Sequence, residues 1–180
     1  MKEPLLISAC LLGEPCRYDG KSKPLPAGQL QFLREHYELH PVCPESDGGL
    51  PTPRIPSERR SGRVLNRAGE DVSEQYARGA TRALEQCREH NCRKALLKER
   101  SPSCGCGAIY DGSFSGTLIP GDGVTAELLK AEGIEVLGES VFFEKEADSH
   151  VTSVATLVPR NDRRPCILQQ AILQPFSQNR

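Results

Sequence analysis

The feature that most constrains this sequence is a set of short apolar runs that each lead into a cysteine. Three such runs are present: Leu5–Cys10 (LLISAC), Leu39–Glu45 (LHPVCPE) and the start of Lys94–Gly107 (KALLKERSPSCGCG). Apolar runs of this length, bounded by turn residues, indicate buried strands such as those of parallel sheets. The cysteines at their ends are Cys10, Cys43 and Cys104. Because the carboxyl ends of parallel strands form the ligand crevice of an open sheet, we expect these thiols to share one site.

Helical patterns separate these strands. Val72–Asn91 is the clearest, since its apolar residues recur at helical spacing and charged residues occupy the opposite face. Shorter helices are predicted at Gln29–Tyr37 and Val124–Ala131, and a fourth strand at Ile134–Leu137. Strands that alternate with helices predict an α/β fold, here a mainly parallel open sheet with flanking helices in a Rossmann-like three-layer arrangement.

Two segments do not follow this alternation. Pro44–Arg63 is rich in Pro and Gly, which predicts a long loop without a helix or a central strand. Its position beside the expected site favours a functional loop. Residues 141–180 show only possible short elements, at Val151–Val158 and Ile167–Leu173. The sequence therefore predicts a domain over residues 1–140 and a C-terminal extension of uncertain structure over residues 141–180.

Charge and aromatic content narrow the classes of partner. The 180 residues include 23 basic and 24 acidic side chains, so the net charge argues neither for nor against nucleic acid. Aromatic residues make up only 5% and Trp is absent, so stacking platforms for single strands are not expected. We therefore expect a small-molecule substrate and no stable nucleic-acid complex.

The lengths of the apolar runs also indicate the cellular compartment of the protein. None approaches the ~18 apolar residues of a membrane span, and the N-terminal run is too short for a signal peptide. We therefore expect a cytoplasmic protein that does not associate with membranes. Disulfides are rare in that compartment, so the eight cysteines need another account: metal binding, catalysis or core packing.

The cysteines divide by position. Cys87 lies on the apolar face of the long predicted helix, where a buried thiol packs as a small hydrophobic group. Cys92 and Cys166 are interpreted as structural or incidental. No spacing typical of zinc is present, whereas cysteines at three strand ends suit an iron–sulfur cluster, of which one iron would stay open to substrate. Cys16 and Cys106 lie close in sequence to these ends and are alternative ligands.

Four further side chains are candidates for catalysis or binding. Glu45 follows a strand-end cysteine by two residues, and a carboxylate beside a water-excluding pocket can act as a general acid or base. Ser101 and Ser103 could hold a substrate atom or could satisfy the backbone of their turn. Arg54 belongs to a basic loop that could bind a phosphate or carboxylate, or could form a structural pair with a carboxylate of the chain.

The residues singled out above also carry a family resemblance. The stretches that carry it are ISACLLGEPCRYDG, PVCPESDGGLPTPRIPSE, GEDVSEQYARGA, LLKERSPSCG and IYDGSFSGTLIPGDGVTAELLKAEGIEVL. Together, and in this order, they resemble the thiouracil desulfidase family over roughly residues 4–140. The resemblance is specific, because several motifs match in sequence order, and it does not reach the C-terminal segment.

The resemblance implies an enzyme with a defined cofactor and site. Members of the family bind a [4Fe-4S] cluster through three cysteines and remove sulfur from thiolated uracils without net redox. Carried over by motif, the ligands are Cys10, Cys43 and Cys104, which leaves one iron without a protein ligand, and Glu45 and Ser101 are the catalytic pair. The implied reaction converts C=S to C=O in thiouracil, thiouridine or thiouridine monophosphate and releases hydrosulfide.

Two other function classes are compatible with the same residues. One is a non-catalytic metal-binding or thiol redox-sensing module that uses these cysteines. The other is an α/β domain that binds a small ligand without a cluster. Iron and sulfide in the purified protein would separate the desulfidase hypothesis from both alternatives.

Overall fold

The computed structural model describes the backbone of residues 2–155 and the side chains of residues 2–147. Five helices are present in this part of the chain: α1 (Ala27–His36), α2 (Pro44–Asp47), α3 (Ser73–Glu89), α4 (Val124–Ala131) and α5 (Glu139–Ala155). The strands are β1 (Glu3–Ser8), β2 (Tyr37–Val42), β3 (Ser57–Arg60), β4 (Arg63–Asn66), β5 (Lys94–Leu97), β6 (Ala108–Tyr110), β7 (Leu118–Pro120) and β8 (Glu135–Gly138). A 3-10 turn, Ala9–Leu12, follows β1 directly.

The central sheet has the order β2-β1-β5-β8, and every neighbouring pair is parallel. The chain leaves β1 towards β2 on one side and later returns to place β5 on the other side. The strand order therefore reverses at β1, which is the position where open α/β sheets bind ligands beyond the carboxyl ends of their strands. The prediction of an α/β fold with a mainly parallel sheet is confirmed.

Helices cover both faces of this sheet. On one face, Leu6 and Ala95 pack with residues of α3 and α4. On the other, Leu5 and Ile7 pack with Leu33 of α1 and with the N-terminal part of α5. Successive residues of β1 thus point into two different cores, and Leu5, Leu6 and Ile7 are each 0% exposed. Burying a side chain of this size contributes about 1.5–3 kcal/mol, which explains why the central strand is a continuous apolar run.

The segment Pro44–Arg63 holds more regular structure than the sequence predicts. Its first four residues form the single helical turn α2, because Pro suits the first position of a helix, where no N–H donor is needed. Beyond its last proline it forms β3, which pairs with β4 in a separate antiparallel hairpin. The prediction of a loop without a helix is therefore wrong at Pro44–Asp47, although no strand of this segment enters the central sheet.

Two hairpins extend from the carboxyl edge of the sheet and are joined by one buried carboxylate. Glu58 of β3 is 8% exposed and accepts hydrogen bonds from the backbone N–H groups of Gly112 and Phe114, both at 2.9 Å. These donors belong to the turn between β6 and β7. The β3–β4 and β6–β7 hairpins therefore form one connected wall.

The last described element is α5, which runs from Glu139 to Ala155 and so crosses the predicted boundary at residue 140. Phe142, near its start, is fully buried against the sheet. The division of the chain at residue 140 stays a prediction. Helix α5 covers the first part of the predicted element Val151–Val158, whereas Ile167–Leu173 lies outside the described residues. Among the described helices, none is long and apolar enough to cross a membrane.

Candidate active site

A cavity of about 790 Å³ lies beyond the carboxyl ends of β1, β2 and β5. Three of its walls come from the turn after β1, from α2 with the loop that follows it, and from the loop after β5. The connected hairpins supply the remaining wall. The predicted site residues that line it are Cys10, Cys43, Glu45, Arg54, Ser101 and Cys104, together with the alternative ligand Cys16. Six residues from separate parts of the sequence are thus brought together, as their strand-end positions predict.

The thiols form a continuous group within this cavity. Cys10 is 7% exposed and Cys104 is 5% exposed. The Cys16 thiol contacts those of both Cys10 and Cys43. The Cys43 thiol also lies 3.3 Å from the Ser46 hydroxyl and donates to the backbone carbonyl of Cys16 at 3.6 Å. Cys16 therefore lies between two of the predicted ligands, and its candidacy as an alternative ligand rests on this contact.

The surroundings of Cys16, Cys43 and Cys104 keep these three thiols protonated when no metal is bound. Hydrogen bonding with Cys10 raises the pKa of Cys16 to about 11. Hydrogen bonding with Cys16, followed by burial, raises the pKa of Cys43 well above its ordinary value. Burial raises the pKa of Cys104 to about 12. A metal group bound here would displace these protons, since thiolate is the ligating form.

The donor set fits an iron–sulfur cluster better than a single ion. Among the described residues, no three His, Cys, Asp or Glu side chains converge closely enough to hold one metal ion. Cys10, Cys43 and Cys104 instead approach one cavity from three strand ends. A cluster is larger than an ion and is ligated by thiolates, so soft sulfur donors that approach one cavity from three strand ends meet its requirements.

The other described cysteines lie away from the cavity. Cys87 and Cys92 are buried in the core between the sheet and helices α3 and α4, in line with the packing role predicted for Cys87. The Cys106 thiol donates to the Val136 carbonyl at 3.2 Å and does not line the cavity. Cys166 lies outside the described residues. All seven described cysteines are free thiols.

Glu45 is held by an arginine whose donors are used almost completely. The Arg54 Nε donates to Glu45 Oε2 at 2.7 Å, and its Nη2 donates to the backbone carbonyl of Cys16 at 2.9 Å. Its Nη1 donates to Thr52 Oγ1 at 3.0 Å and to the Pro51 carbonyl at 3.2 Å. The side chain is 5% exposed. Burial opposes the charge of Arg54, but the Glu45 carboxylate outweighs it and the pKa of Arg54 is raised.

Ser101 joins Glu45 to the loop after β5. Its hydroxyl donates to Glu45 Oε1 at 3.3 Å and accepts the backbone N–H groups of Ser103 and Cys104, both at 3.1 Å. The two backbone donors direct the hydroxyl proton towards the carboxylate. The predicted catalytic pair is therefore in direct contact, with one oxygen of Glu45 on Ser101 and the other on Arg54.

Ser103 has a different environment. Its side chain is 0% exposed, and its hydroxyl lies 2.8 Å from that of Thr125, at the start of α4. Its backbone carbonyl accepts the N–H of Thr125 at 2.9 Å, and the Pro102 carbonyl accepts that of Val124 at 2.9 Å. The loop therefore caps the N-terminus of α4 and is fixed by it. The geometry gives Ser103 this loop-holding role, and Ser103 is not among the residues that line the cavity, so the substrate contact stays a prediction.

Close backbone packing positions α2 and, with it, Glu45. A Cβ atom added to Gly79 of α3 would lie 1.8 Å from the Pro44 carbonyl oxygen. Only glycine permits this approach, because any side chain would separate the two helices. Gly123 allows a similar approach on the other side, since a Cβ there would lie 2.3 Å from the Ser103 carbonyl oxygen.

Tyr76 is a polar cavity residue that the sequence pattern does not single out. Tyr76 of α3 is 1% exposed, lines the cavity and hydrogen bonds with Glu45 and Ser57. Burial, followed by the Glu45 charge, raises the pKa of its phenol. Its helical spacing placed it with the apolar core residues. The signal that could have identified it is the hydroxyl group, since a buried Tyr hydroxyl normally needs a polar partner.

Comparison with known proteins gives a consistent result. The 2-thiouracil desulfurase family matches residues 5–140. The chain belongs to this family. It is 40% identical over 146 residues to the uncharacterized protein YbbK of Bacillus subtilis (strain 168), which covers 76% of this chain and 95% of YbbK. It also superimposes on the solved structure of the [4Fe-4S]-dependent thiouracil desulfidase TudS with a TM-score of 0.76 and 44% identity, covering 87% of this chain and all of that structure.

Membership of the 2-thiouracil desulfurase family confirms the predicted resemblance and the prediction that the chain is a desulfidase. The matched range contains every predicted site residue. It also ends at residue 140, near the start of α5. The assignments of individual residues as ligands or catalysts stay predictions, and the geometry described above provides the grounds for proposing them.

Proposed function

We propose that this desulfidase uses a [4Fe-4S] cluster to convert C=S to C=O in a thiolated uracil, supplied as base, nucleoside or monophosphate, with release of hydrosulfide. The observation that carries the proposal is the direct hydrogen bond from Ser101 to Glu45 in the cavity that contains Cys10, Cys43 and Cys104. The [4Fe-4S] dependence of TudS, 44% identical to this chain, supports the same cofactor.

In this proposal Cys10, Cys43 and Cys104 hold the cluster. When bound, a cluster with one iron free of protein ligands would supply a soft Lewis acid suited to a thiocarbonyl sulfur. Cys104 is fixed by its loop, which α4 and the Ser101 hydroxyl hold in place. Cys10 lies in the 3-10 turn immediately after the central strand. Two of the three ligands are therefore attached to rigid elements.

Glu45 acts as the proton acceptor for the attacking water. Its carboxylate is 15% exposed, so water can reach it from the cavity while most of it is enclosed. Arg54 holds Oε2, which leaves the side of Oε1 next to Ser101 to face the reacting groups. A positioned carboxylate of this kind contributes about 10²–10⁴-fold through proton transfer.

Ser101 orients the carboxylate. Its hydroxyl accepts two backbone N–H groups and donates its proton to Glu45, which fixes Oε1 relative to the loop after β5. A pyrimidine bound in the cavity would lie between this pair and the cysteine group. The reaction involves no net electron transfer, because water supplies the oxygen and hydrosulfide carries away the sulfur.

The test combines cofactor content with product formation. Protein reconstituted anaerobically should be brown and contain about four iron and four sulfide per chain. It should release hydrosulfide from 2-thiouracil or 4-thiouracil, whereas the apo-protein should release none. Brown protein that leaves every thiolated uracil intact would refute the enzymatic proposal. Colourless protein containing zinc would refute the cluster. Recovery of the protein from the cytoplasmic fraction would test the expected location. Absence of nucleic acid from the purified protein would test the expectation of no stable nucleic-acid complex.

A further inference from the structure

We propose that Glu99 and Glu139 are positioning residues that hold Ser101 in place for the reaction. They do so by joining the loop after β5 to the start of α5. The inference rests on the catalytic role proposed for Ser101, and it concerns two residues that the sequence does not single out. It also makes α5 a support of the active site, although the family match ends at residue 140.

The central sheet places Glu99 and Glu139 next to each other. Strands β5 and β8 are parallel neighbours, and Leu97 at the end of β5 pairs with Gly138 at the end of β8. Glu99 lies two residues beyond β5, and Glu139 is the first residue of α5. The loop that carries Ser101 and the helix α5 therefore leave the sheet side by side.

The two carboxylates form a reciprocal set of hydrogen bonds, which we call the Glu99–Glu139 clamp. Glu139 Oε2 accepts the backbone N–H of Glu99 at 2.6 Å, and its Oε1 accepts from the Lys98 ammonium. In return, Glu99 Oε1 accepts the backbone N–H of Ser140 at 2.8 Å and also the Ser140 hydroxyl. N–H groups in the first turn of a helix have no acceptor within the helix. Glu99 thus caps α5, while α5 fixes the loop.

The clamp is closely packed, and its Glu99 carboxylate is ionised. Burial opposes the charge of Glu99, but the hydrogen bonds from Ser140 outweigh it and hold the pKa of this carboxyl below its ordinary value. Gly138 leaves room for the side chain, since a Cβ atom there would lie 2.6 Å from Glu99 Cγ. The Glu139 side chain is 17% exposed. Both carboxylates are therefore held against the ends of the two strands.

The residue between the clamp and the catalytic serine has a strained backbone. Arg100 has a φ of 62°, in the left-handed region that residues with a side chain disfavour. Such a conformation persists only where the surrounding structure enforces it. The clamp holds the chain before Arg100, a β-bridge joins Arg100 to Ile109, and α4 holds the loop beyond Ser101. The clamp therefore helps to keep Arg100 in the conformation that presents Ser101 to Glu45.

The first experiment measures kcat and KM of the reconstituted protein with thiouracil. E139A removes the acceptor of the Glu99 N–H and should lower kcat about tenfold, because the left-handed residue loses its support. KM should stay within about twofold, since Ser101 acts on the carboxylate of Glu45. E139Q keeps an acceptor oxygen and should recover most of the activity. The control E144A changes an exposed carboxylate of α5 that does not line the cavity, and it should leave kcat unchanged.

R100G tests whether the clamp acts through the strained backbone. Glycine adopts positive φ about as readily as negative φ, so the R100G chain needs no support at this position. R100G also removes a side chain that lines the cavity, so E139A/R100G is compared with R100G and not with the wild type. In this background E139A should lower kcat less than about threefold. An equal loss in both backgrounds would overturn the positioning role and make the clamp a contact that only stabilises α5.

The second experiment needs no turnover and so separates this inference from the proposed function. Ser101 Oγ accepts the backbone N–H groups of Ser103 and Cys104, both at 3.1 Å, so their hydrogen exchange reports the position of the hydroxyl. E139A should accelerate this exchange about tenfold in the wild-type background and much less in R100G, whereas E144A should not change it. Mass spectrometry of a peptide that covers residues 101–106 would measure the rates.

E99A removes the other half of the clamp and should give the same pattern, so it replaces E139A if urea unfolding shows that E139A is not folded. Unchanged exchange in the folded clamp variants would overturn the inference. Faster exchange that R100G suppresses, in a protein that desulfurates nothing, would support the clamp while refuting the proposed function. Desulfuration that is insensitive to both clamp variants would do the reverse.

Discussion

The inner end of the cavity and its mouth use charged residues in opposite ways. At the inner end, both oxygens of Glu45 have partners and four hydrogen bonds from Arg54 are made. At the mouth, Arg67 and Arg100 form no salt bridge with any described residue, although Arg100 lies within electrostatic reach of Glu99. Groups that take part in chemistry have to be fixed before substrate arrives, because reorganisation during the reaction raises the barrier. Groups that recognise a ligand have to leave their donors free.

This difference predicts separate kinetic effects. Changes at the inner end should lower kcat, with similar effects on all substrates. Changes at the mouth should act mainly through KM. The four predictions below test the inner half of the comparison, in order of decreasing effect.

The largest effect is expected from the cluster ligands. C10A, C43A and C104A should each lose the cluster and all turnover, because every ligand holds a different edge of the cavity. Iron and sulfide analysis with the visible spectrum would measure the loss. C87A is the matched control: Cys87 is 1% exposed and packs in the core, so its variant should remain brown and active.

The same variants test whether the assignment of ligands is correct. An empty site in C16A, with an intact cluster in C10A, would transfer the N-terminal ligand to Cys16. The cluster should also raise the melting temperature, since a group that binds only the native state stabilises it by mass action. Apo- and holo-protein with equal melting temperatures would contradict that expectation.

Glu45 should give the next largest effect. Glu45→Gln keeps the size of the side chain, and its amide oxygen can still accept a hydrogen bond from Arg54, but it loses the second acceptor oxygen and cannot accept a proton. We expect a brown protein that binds substrate and loses turnover by about 10²–10⁴-fold, which corresponds to ~3–5 kcal/mol of barrier. Stopped-flow or steady-state release of hydrosulfide would measure it. Wild-type turnover in this variant would exclude Glu45 as the proton acceptor.

Arg54 should have a smaller effect that is equal for all substrates. Arg54→Ala removes the group that fixes Glu45, and a displaced catalytic group can cost up to ~100-fold in rate. We expect kcat for thiouracil and for thiouridine monophosphate to fall by the same factor. Arg54→Lys should recover part of the loss, because it restores the charge but not the planar fork. A selective rise in KM for the monophosphate would instead return Arg54 to the phosphate-binding role.

The smallest effect on turnover is expected from a change in the packing of α3 against α2. Its main consequence is a loss of stability. Gly79→Ala forces a methyl group against the Pro44 carbonyl and should destabilise the fold by about 1–3 kcal/mol, as overpacking does. Urea unfolding would measure the change. Gly28→Ala in α1 is the control, since no atom lies within 4 Å of the added methyl group, and its effect should stay within about 1 kcal/mol. Equal stability of the two variants would mean that α2 moves freely to accommodate the methyl group.

The parts of the molecule that follow from local patterns were predictable from the sequence. The strand at the start of Lys94–Gly107 and the helix Val124–Ala131 are set by apolar spacing and by their turn residues, and both occur where predicted. The gathering of Cys10, Cys43 and Cys104 follows from parallel strand order, which needs no knowledge of side-chain contacts. The family resemblance then implied the cofactor, the catalytic pair and the reaction.

The parts that depend on tertiary contacts were not predictable. The sequence allowed Arg54 two roles, and only the position of Glu45 and of the Cys16 carbonyl distinguishes them. Ser103 resembled Ser101 in sequence, but its neighbour Thr125 comes from a helix that begins about twenty residues later. Arg67 carried no motif at all, because its place at the mouth depends on how the two hairpins meet.

The contact between Ser101 and Glu45 also links catalysis to the order of folding. It joins residues 56 positions apart, one beyond β5 and the other beyond β2, and β1 lies between these two strands. Contacts of such long sequence separation form late, because closing a long loop costs entropy before the contact is gained. Desulfidase activity is therefore a direct reporter of the completed central sheet, and denaturant should abolish turnover and the β2-β1-β5 pairing together.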